Sequence, residues 1–195
     1  MDYKSQRKWS DSYIPAVTKI LFETLPLNDQ YTIVVSSDEI DMKEAADLCI
    51  IAPDGRDMGR IALRLRLATQ YMSKYPYDFT IRYQYTAGYK TEFAKIEEGS
   101  ADLMFYGFVE NGKIVRWLLL NLDELRAEIN EPYIIYEQNN NKDGRNQFRG
   151  YDIRSFKNEN LIVGTSAGFF DLIELMFPRS DGNGVIRSRI FKQAT

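Results

Sequence analysis

Apolar residues recur along this chain at two periods, and the change from one to the other predicts the order of its elements. Ile14, Val17, Ile20 and Leu21 follow helical spacing, so a first helix is predicted up to about Thr24. Asp11 or Ser12 can cap it, and Pro15 falls in its first turn, where proline is tolerated. Residues 1–10 read as a polar lead-in anchored by Trp9. Tyr31 to Ser36 is β-branched and predicts a strand. The next nine residues hold Asp38, Glu39, Asp41 and Glu44, too acidic for a core element, and are expected in a loop or short helix.

From Leu48 the period changes to two. Leu48 to Ala52 predicts a strand turned by Pro53-Asp54-Gly55, and Arg60 to Leu67 alternates cleanly. Ile61, Leu63 and Leu65 share one face there; Ala62, Arg64 and Arg66 share the other. A third strand, Asp78 to Tyr85, sets Phe79, Ile81, Tyr83 and Tyr85 against Thr80, Arg82 and Gln84. Were these strands to pair with polar faces aligned, Arg64, Arg66 and Arg82 would form one basic surface. Thr91 to Glu98 predicts a short helix stopped by Gly99. Ala101 to Val109 and Ile114 to Asn121 predict two strands joined at Asn111-Gly112, a strong hairpin signal. The second is so continuously apolar that it belongs inside a sheet. Leu122 to Ile129 predicts a helix, residues 137–147 a flexible polar loop, and residues 148–165 weaker strands around Tyr151–Ile153 and Leu161–Val163. A last apolar helix is expected over Gly168 to Phe177, and a short apolar stretch over Val185–Ile190.

The sum is one α/β (α+β) domain over residues 1–195: a core at about 11–129 built on a central mixed β-sheet flanked by helices, then the loop at 137–147 and a C-terminal extension at 148–195. A chain of 195 residues, 44% hydrophobic, is long enough for such a core.

Composition narrows the chemistry. With 25 Lys+Arg against 28 Asp+Glu, net −3, no global field favours nucleic acid, and binding of it would rest on a local basic face. The single cysteine, Cys49, excludes an internal disulfide and sits in an apolar run as a small hydrophobe. The absence of histidine excludes His-ligated metals, Ser-His-Asp and Cys-His triads, and a histidine base. Carboxylates, Lys, Arg and Tyr remain, so any metal would be an oxygen-liganded Mg²⁺ or Mn²⁺. The polar N-terminus and the lack of an 18-residue apolar run predict no signal peptide, no membrane segment and a cytoplasmic location.

Asp47 precedes a strand, and a basic strand follows. Carboxylates beside cations suit metal-assisted phosphodiester chemistry, with the cation steadying the charged phosphorane. They equally suit a structural ion-pair patch. For Arg64 and Arg66 both readings stay open: phosphate contacts, or pairing with Asp41, Glu44 or Asp47. Glu92 and Lys95, one helical turn apart, also fit a surface ion pair. Asp102 reads as a turn residue, Asp123 as a helix N-terminal carboxylate, and Tyr83, Tyr85, Tyr89 and Tyr106 as core rings or base-stacking platforms.

The segments IPAVTKIL (14–21), EAADL (44–48), RIALRLR (60–66), DFTIR (78–82), KTEFAKIEEGSADLMFYGF (90–108) and WLLLNLDELR (117–126), with the weaker FRGYDI (148–153), resemble a tailed-phage family of small uncharacterised proteins with a PD-(D/E)xK nuclease-like fold. The resemblance implies that Asp47 takes the place of the Asp in the first half-motif, without a preceding Pro. The second half, acid-x-Lys, meets Ala62-Leu63-Arg64 or Arg64-Leu65-Arg66 here, so its acid is absent. Glu92, with Lys95 a turn later, would supply a migrated carboxylate, and Glu23 is a further candidate. The site implied is Asp47 and Glu92 as Mg²⁺ or Mn²⁺ ligands, Arg64 and Lys95 beside them in catalysis, and Arg64, Arg66 and Arg82 on nucleic-acid phosphates. The function implied is a phage-type, nuclease-like protein in the host cytoplasm that acts on or binds nucleic acid, DNA foremost, with divalent-metal-dependent phosphodiester hydrolysis as its expected chemistry. The alternatives are a non-catalytic relative that binds nucleic acid or a host or phage protein, and a particle assembly component.

Overall fold

In the computed structural model, which describes residues 3–36, 46–85, 90–131, 135–139 and 146–167, alternation along one long strand sets the layers. Helices α1 (Tyr3–Asp11) and α2 (Ile14–Thr24) lead into β1 (Thr32–Val35), β2 (Leu48–Ile51) and β3 (Asp57–Leu67). The chain then runs through α3 (Ala68–Tyr71), β4 (Asp78–Tyr85) and α4 (Glu92–Glu97) to the hairpin of β5 (Leu103–Glu110) and β6 (Lys113–Asn121). After α5 (Leu122–Glu128) come β7 (Ile135–Asn139), β8 (Asn146–Asp152), two 3₁₀ turns and β9 (Ile162–Thr165).

Six strands form a central mixed sheet in the order β1-β2-β3-β5-β6-β9. Its β3 and β5 are parallel, which requires a long crossover, supplied by α3, β4 and α4; its other neighbours are antiparallel. A second sheet, β4-β8-β7, is wholly antiparallel. Ile61 and Leu65 of β3 pack on one face of the large sheet with Val17 and Leu21 of α2, Phe105 and Leu119. Ala62 packs on the other, with Met104, Tyr106, Phe79 and Ile81 of β4, Ile96 of α4 and Leu125 of α5. Each fully buried aliphatic side chain contributes about 1.5–3 kcal/mol. The large sheet thus lies between helices on one side and a sheet-plus-helix layer on the other. Among the described residues no helix is long and apolar enough to cross a membrane.

The Asn111-Gly112 turn takes positive φ at both residues, 49° and 74°, the type I′ geometry that suits strand twist. β6 lies inside the sheet, between β5 and β9.

Several expectations need correction. Residues 3–11 form a helix rather than a loose lead-in, because Trp9 packs edge-on to Tyr13, with ring centroids 5.3 Å apart, and joins the α2 core. Ser12 does not cap α2; its hydroxyl donates to the Trp9 carbonyl, 2.6 Å, and Tyr13 is the N-cap. Residues 137–139 and 146–147 are strand rather than loop, because their polar sequence pairs along β7 and β8. The core runs past residue 129: Tyr151, Ile153, Phe156, Leu161, Ile162 and Val163 are buried in it. The acidic stretch 37–45, Tyr89, the helix expected over 168–177 and the tail at 185–190 lie outside the described residues.

Candidate functional site

Arg64 and Arg66 stand on the face of β3 turned toward the second sheet, and β4 brings Arg82 to meet them. The two strands do not pair. β3 bonds to β2 and β5 while β4 bonds to β8, so the basic cluster arises from packing between sheets and not from register within one. The Cζ atoms of Arg64, Arg66 and Arg82 lie 5.2, 5.7 and 5.7 Å from the ring centroid of Phe148 on β8. Arg66 also lies 5.0 Å from the Tyr71 ring. Such contacts hold a desolvated cation by about 0.5–2 kcal/mol each.

Glu92 enters from α4. Thr91 caps that helix by accepting the Ala94 N–H at 3.2 Å, which sets Glu92 in the first turn, where a carboxylate also suits the helix dipole. Its Oε2 accepts from Arg64 Nη1 and, at 3.1 Å, from the backbone N–H of Arg82. Arg66 Nη2 donates to Thr80 Oγ1 at 2.8 Å, and that hydroxyl lies 3.4 Å from the Tyr106 hydroxyl.

Glu92 thus pairs with one of the three guanidinium groups, that of Arg64, and among the described residues no acid is paired with the other two. The Arg64 and Glu92 side chains keep 13% and 17% of their exposure, so the pair is largely shielded from solvent. Burial, together with the neighbouring charge of Arg66, lowers the pKa of Arg64 to about 10, which leaves it charged at neutral pH. The Nε atoms of Arg64, Arg66 and Arg82 are buried with no hydrogen-bond partner among the described residues. A guanidinium presents five N–H donors in a planar fork suited to carboxylate or phosphate. The arrangement has donors and charge in excess of the acid it contains.

The other expected site residues have different surroundings. Asp47 Oδ2 accepts the backbone N–H of Leu63 at 2.6 Å, and the Asp47 N–H donates to the Ile61 carbonyl, so the residue carries the β2–β3 ladder one step further. Lys95 is buried rather than half of a surface pair, and Glu92 pairs with Arg64 instead. Glu23 is exposed on α2, 3.9 Å from Lys19. Asp102 joins strands, its carboxylate accepting the Arg60 N–H at 2.7 Å, and Asp123 pairs with Arg126 on α5. Hard divalent cations take about six or more oxygen ligands. Asp47 and Glu92 are each committed to N–H donors, and among the described residues no group of three or more acids or cysteines converges.

Phe148 was not singled out as a site residue, although it is the ring on which the cluster is assembled. Its only signal in the sequence is its place between Gln147 and Arg149 on an alternating strand. Arg149, on the opposite face of β8, covers the Tyr83 ring at 3.5 Å and donates to Asn130 Oδ1 at 3.3 Å. Tyr83 is thus not an open stacking platform, and neither is Tyr106, which is 2% exposed. The Tyr151 hydroxyl is buried, and burial raises its pKa above the ordinary phenol value.

Comparison of the chain with protein-family models, with curated proteins and with solved structures returned no match.

Proposed function

We propose that this protein is a nucleic-acid-binding module that holds phosphate through Arg64, Arg66 and Arg82 without a catalytic metal. The observation that carries the reading is the imbalance at the sheet interface, where three guanidinium groups gather on Phe148 and, among the described residues, only that of Arg64 is paired with an acid, Glu92. Like charges gathered in a half-buried place repel one another, and an arriving anion relieves that repulsion. Arginine is a weak base and a strong phosphate clamp, so the chemistry of the cluster is binding rather than proton abstraction. The absence of the acid-x-Lys half-motif on β3 points the same way.

The test is fluorescence anisotropy with labelled single- and double-stranded DNA and RNA at increasing salt, in Mg²⁺, Mn²⁺ or EDTA. The expected result is salt-dependent binding that is equal in Mg²⁺ and EDTA and at least tenfold weaker in Arg66→Ala and Arg82→Ala. Absence of binding to every oligonucleotide, or binding indifferent to both substitutions, overturns the reading. Cleavage in Mg²⁺ or Mn²⁺ that Asp47→Asn or Glu92→Gln abolishes would replace it with the hydrolase.

A further inference from the structure

We infer that the arginine cluster is a seat for one phosphomonoester dianion, carried at the end of a nucleic-acid strand or by a free nucleotide, and not a track for internal phosphodiesters. The inference rests on the proposed phosphate binding and specifies what is bound.

Compactness is the first argument. All three guanidinium carbons lie within 5.7 Å of a single ring centroid, so the cations are gathered about one residue rather than strung along the sheet. Duplex DNA carries a charge about every 1.7 Å of its axis, and proteins that follow it neutralise roughly six to ten phosphates along an extended basic surface.

Of the exposed cations on the described surface, four are answered by nearby acids: Lys19 by Glu23, Arg56 by Asp54, Lys90 by Glu98, and Arg154 by Asp152.

Charge supplies the second argument. Among the described residues, three guanidinium groups less one carboxylate leave an excess of two, which a phosphomonoester near −2 neutralises and a diester at −1 does not. The donors match as well. Each guanidinium offers a planar fork of N–H donors, and a terminal phosphate presents three equivalent acceptor oxygens.

The experiment uses the full chain and one labelled oligonucleotide sequence made with a 5′-phosphate, with a 3′-phosphate, or with hydroxyls at both ends. Nucleoside 5′-monophosphate and inorganic phosphate serve as competitors. A phosphorylated end should bind at least tenfold more tightly than the hydroxyl form, the monophosphate should compete, and the salt slope should correspond to about one or two neutralised phosphates. Arg66→Ala should erase the preference, while Arg66→Lys, which keeps charge and volume, should recover part of it; circular dichroism of both variants shows whether they fold. Equal binding of phosphorylated and hydroxyl-ended strands overturns the inference and leaves the proposed function standing. Binding of the monophosphate but of no oligonucleotide supports the seat, with a free nucleotide as its source, and removes the nucleic-acid reading.

Discussion

Arg66 Nη2 donates to Thr80 Oγ1 at 2.8 Å, tying a strand of the six-stranded sheet to a strand of the three-stranded one. The bond joins the layers at the point where the cations gather, so the shape of the cluster depends on how the sheets pack. Thr80→Val keeps the side-chain volume and removes the acceptor. We expect a loss of about 0.5–1.5 kcal/mol in stability, read from urea unfolding. We also expect weaker oligonucleotide binding, because Arg66 is no longer held. Combined with Arg66→Ala, the loss should be less than additive, with a coupling of about 0.5–3 kcal/mol. Strict additivity would mean that the hydroxyl does nothing to place the guanidinium.

Glu92 competes internally with any anion that enters the cluster. Its Oε2 takes the Arg64 guanidinium and the Arg82 N–H together, as a phosphate oxygen would. Glu92→Gln removes the charge and keeps the shape. Affinity for a phosphorylated oligonucleotide should therefore rise, by roughly three- to tenfold, while stability falls by about 1–3 kcal/mol as Arg64 loses its partner. Parallel anisotropy and thermal melts would show these opposite movements. A fall in affinity would instead make Glu92 part of the scaffold that shapes the seat.

The pH dependence of binding separates protein from ligand. Arg64, lowered to about 10, keeps its charge from pH 5 to 9, so the protein side of the contact is constant there. A phosphomonoester takes up a proton near pH 6 and becomes a monoanion. Affinity for the end-phosphorylated strand should be flat from pH 7 to 9 and fall as pH drops through about 6, whereas the hydroxyl-ended strand should show no such step. The sign for stability is that of any group whose pKa folding depresses. Between about 10 and the ordinary guanidinium value the unfolded chain binds a proton that folded Arg64 has released, so its contribution becomes more favourable as pH rises. A phosphorylated strand whose affinity is level from pH 5 to 9 would sink the dianion argument.

Local chemistry was readable in the sequence where a single residue type decides it. The alternation of Arg60 to Leu67 placed Arg64 and Arg66 on one face correctly, and the Asn111-Gly112 turn fixed the β5–β6 hairpin. Non-local pairing was not readable. β4 carries the same two-residue period whether it bonds to β3 or, as it does, to β8, because the period reports faces and not neighbours. The strand contact of Asp47 was hidden for a related reason. The backbone N–H it accepts, that of Leu63, becomes available only once β2 and β3 are in register, and no side-chain pattern records it. The polar residues at 137–139 and 146–147 resembled a loop because strands of a small sheet need little apolar content.

The last relationship tests the fold apart from the site. Gly164 on β9 faces Thr24, the final residue of α2, so closely that an added Cβ would collide with the Thr24 γ-methyl; the Trp117 ring carbons lie 3.5 Å away. Thr24 cannot easily turn aside, because its hydroxyl donates to the Ile20 carbonyl at 2.7 Å. Gly164→Ala should push the helix end from the sheet and cost about 1–3 kcal/mol. For a chain of this length that is a fall in Tm of about 2–4 °C per kcal/mol. Thr24→Ser keeps the hydroxyl and deletes the methyl, so the double variant should recover most of the loss. Recovery would establish that the chain beyond residue 148 closes the same core that α2 opens. A harmless Gly164→Ala, or one that Thr24→Ser does not relieve, would separate β9 from that helix and leave the site's supporting sheet one strand narrower.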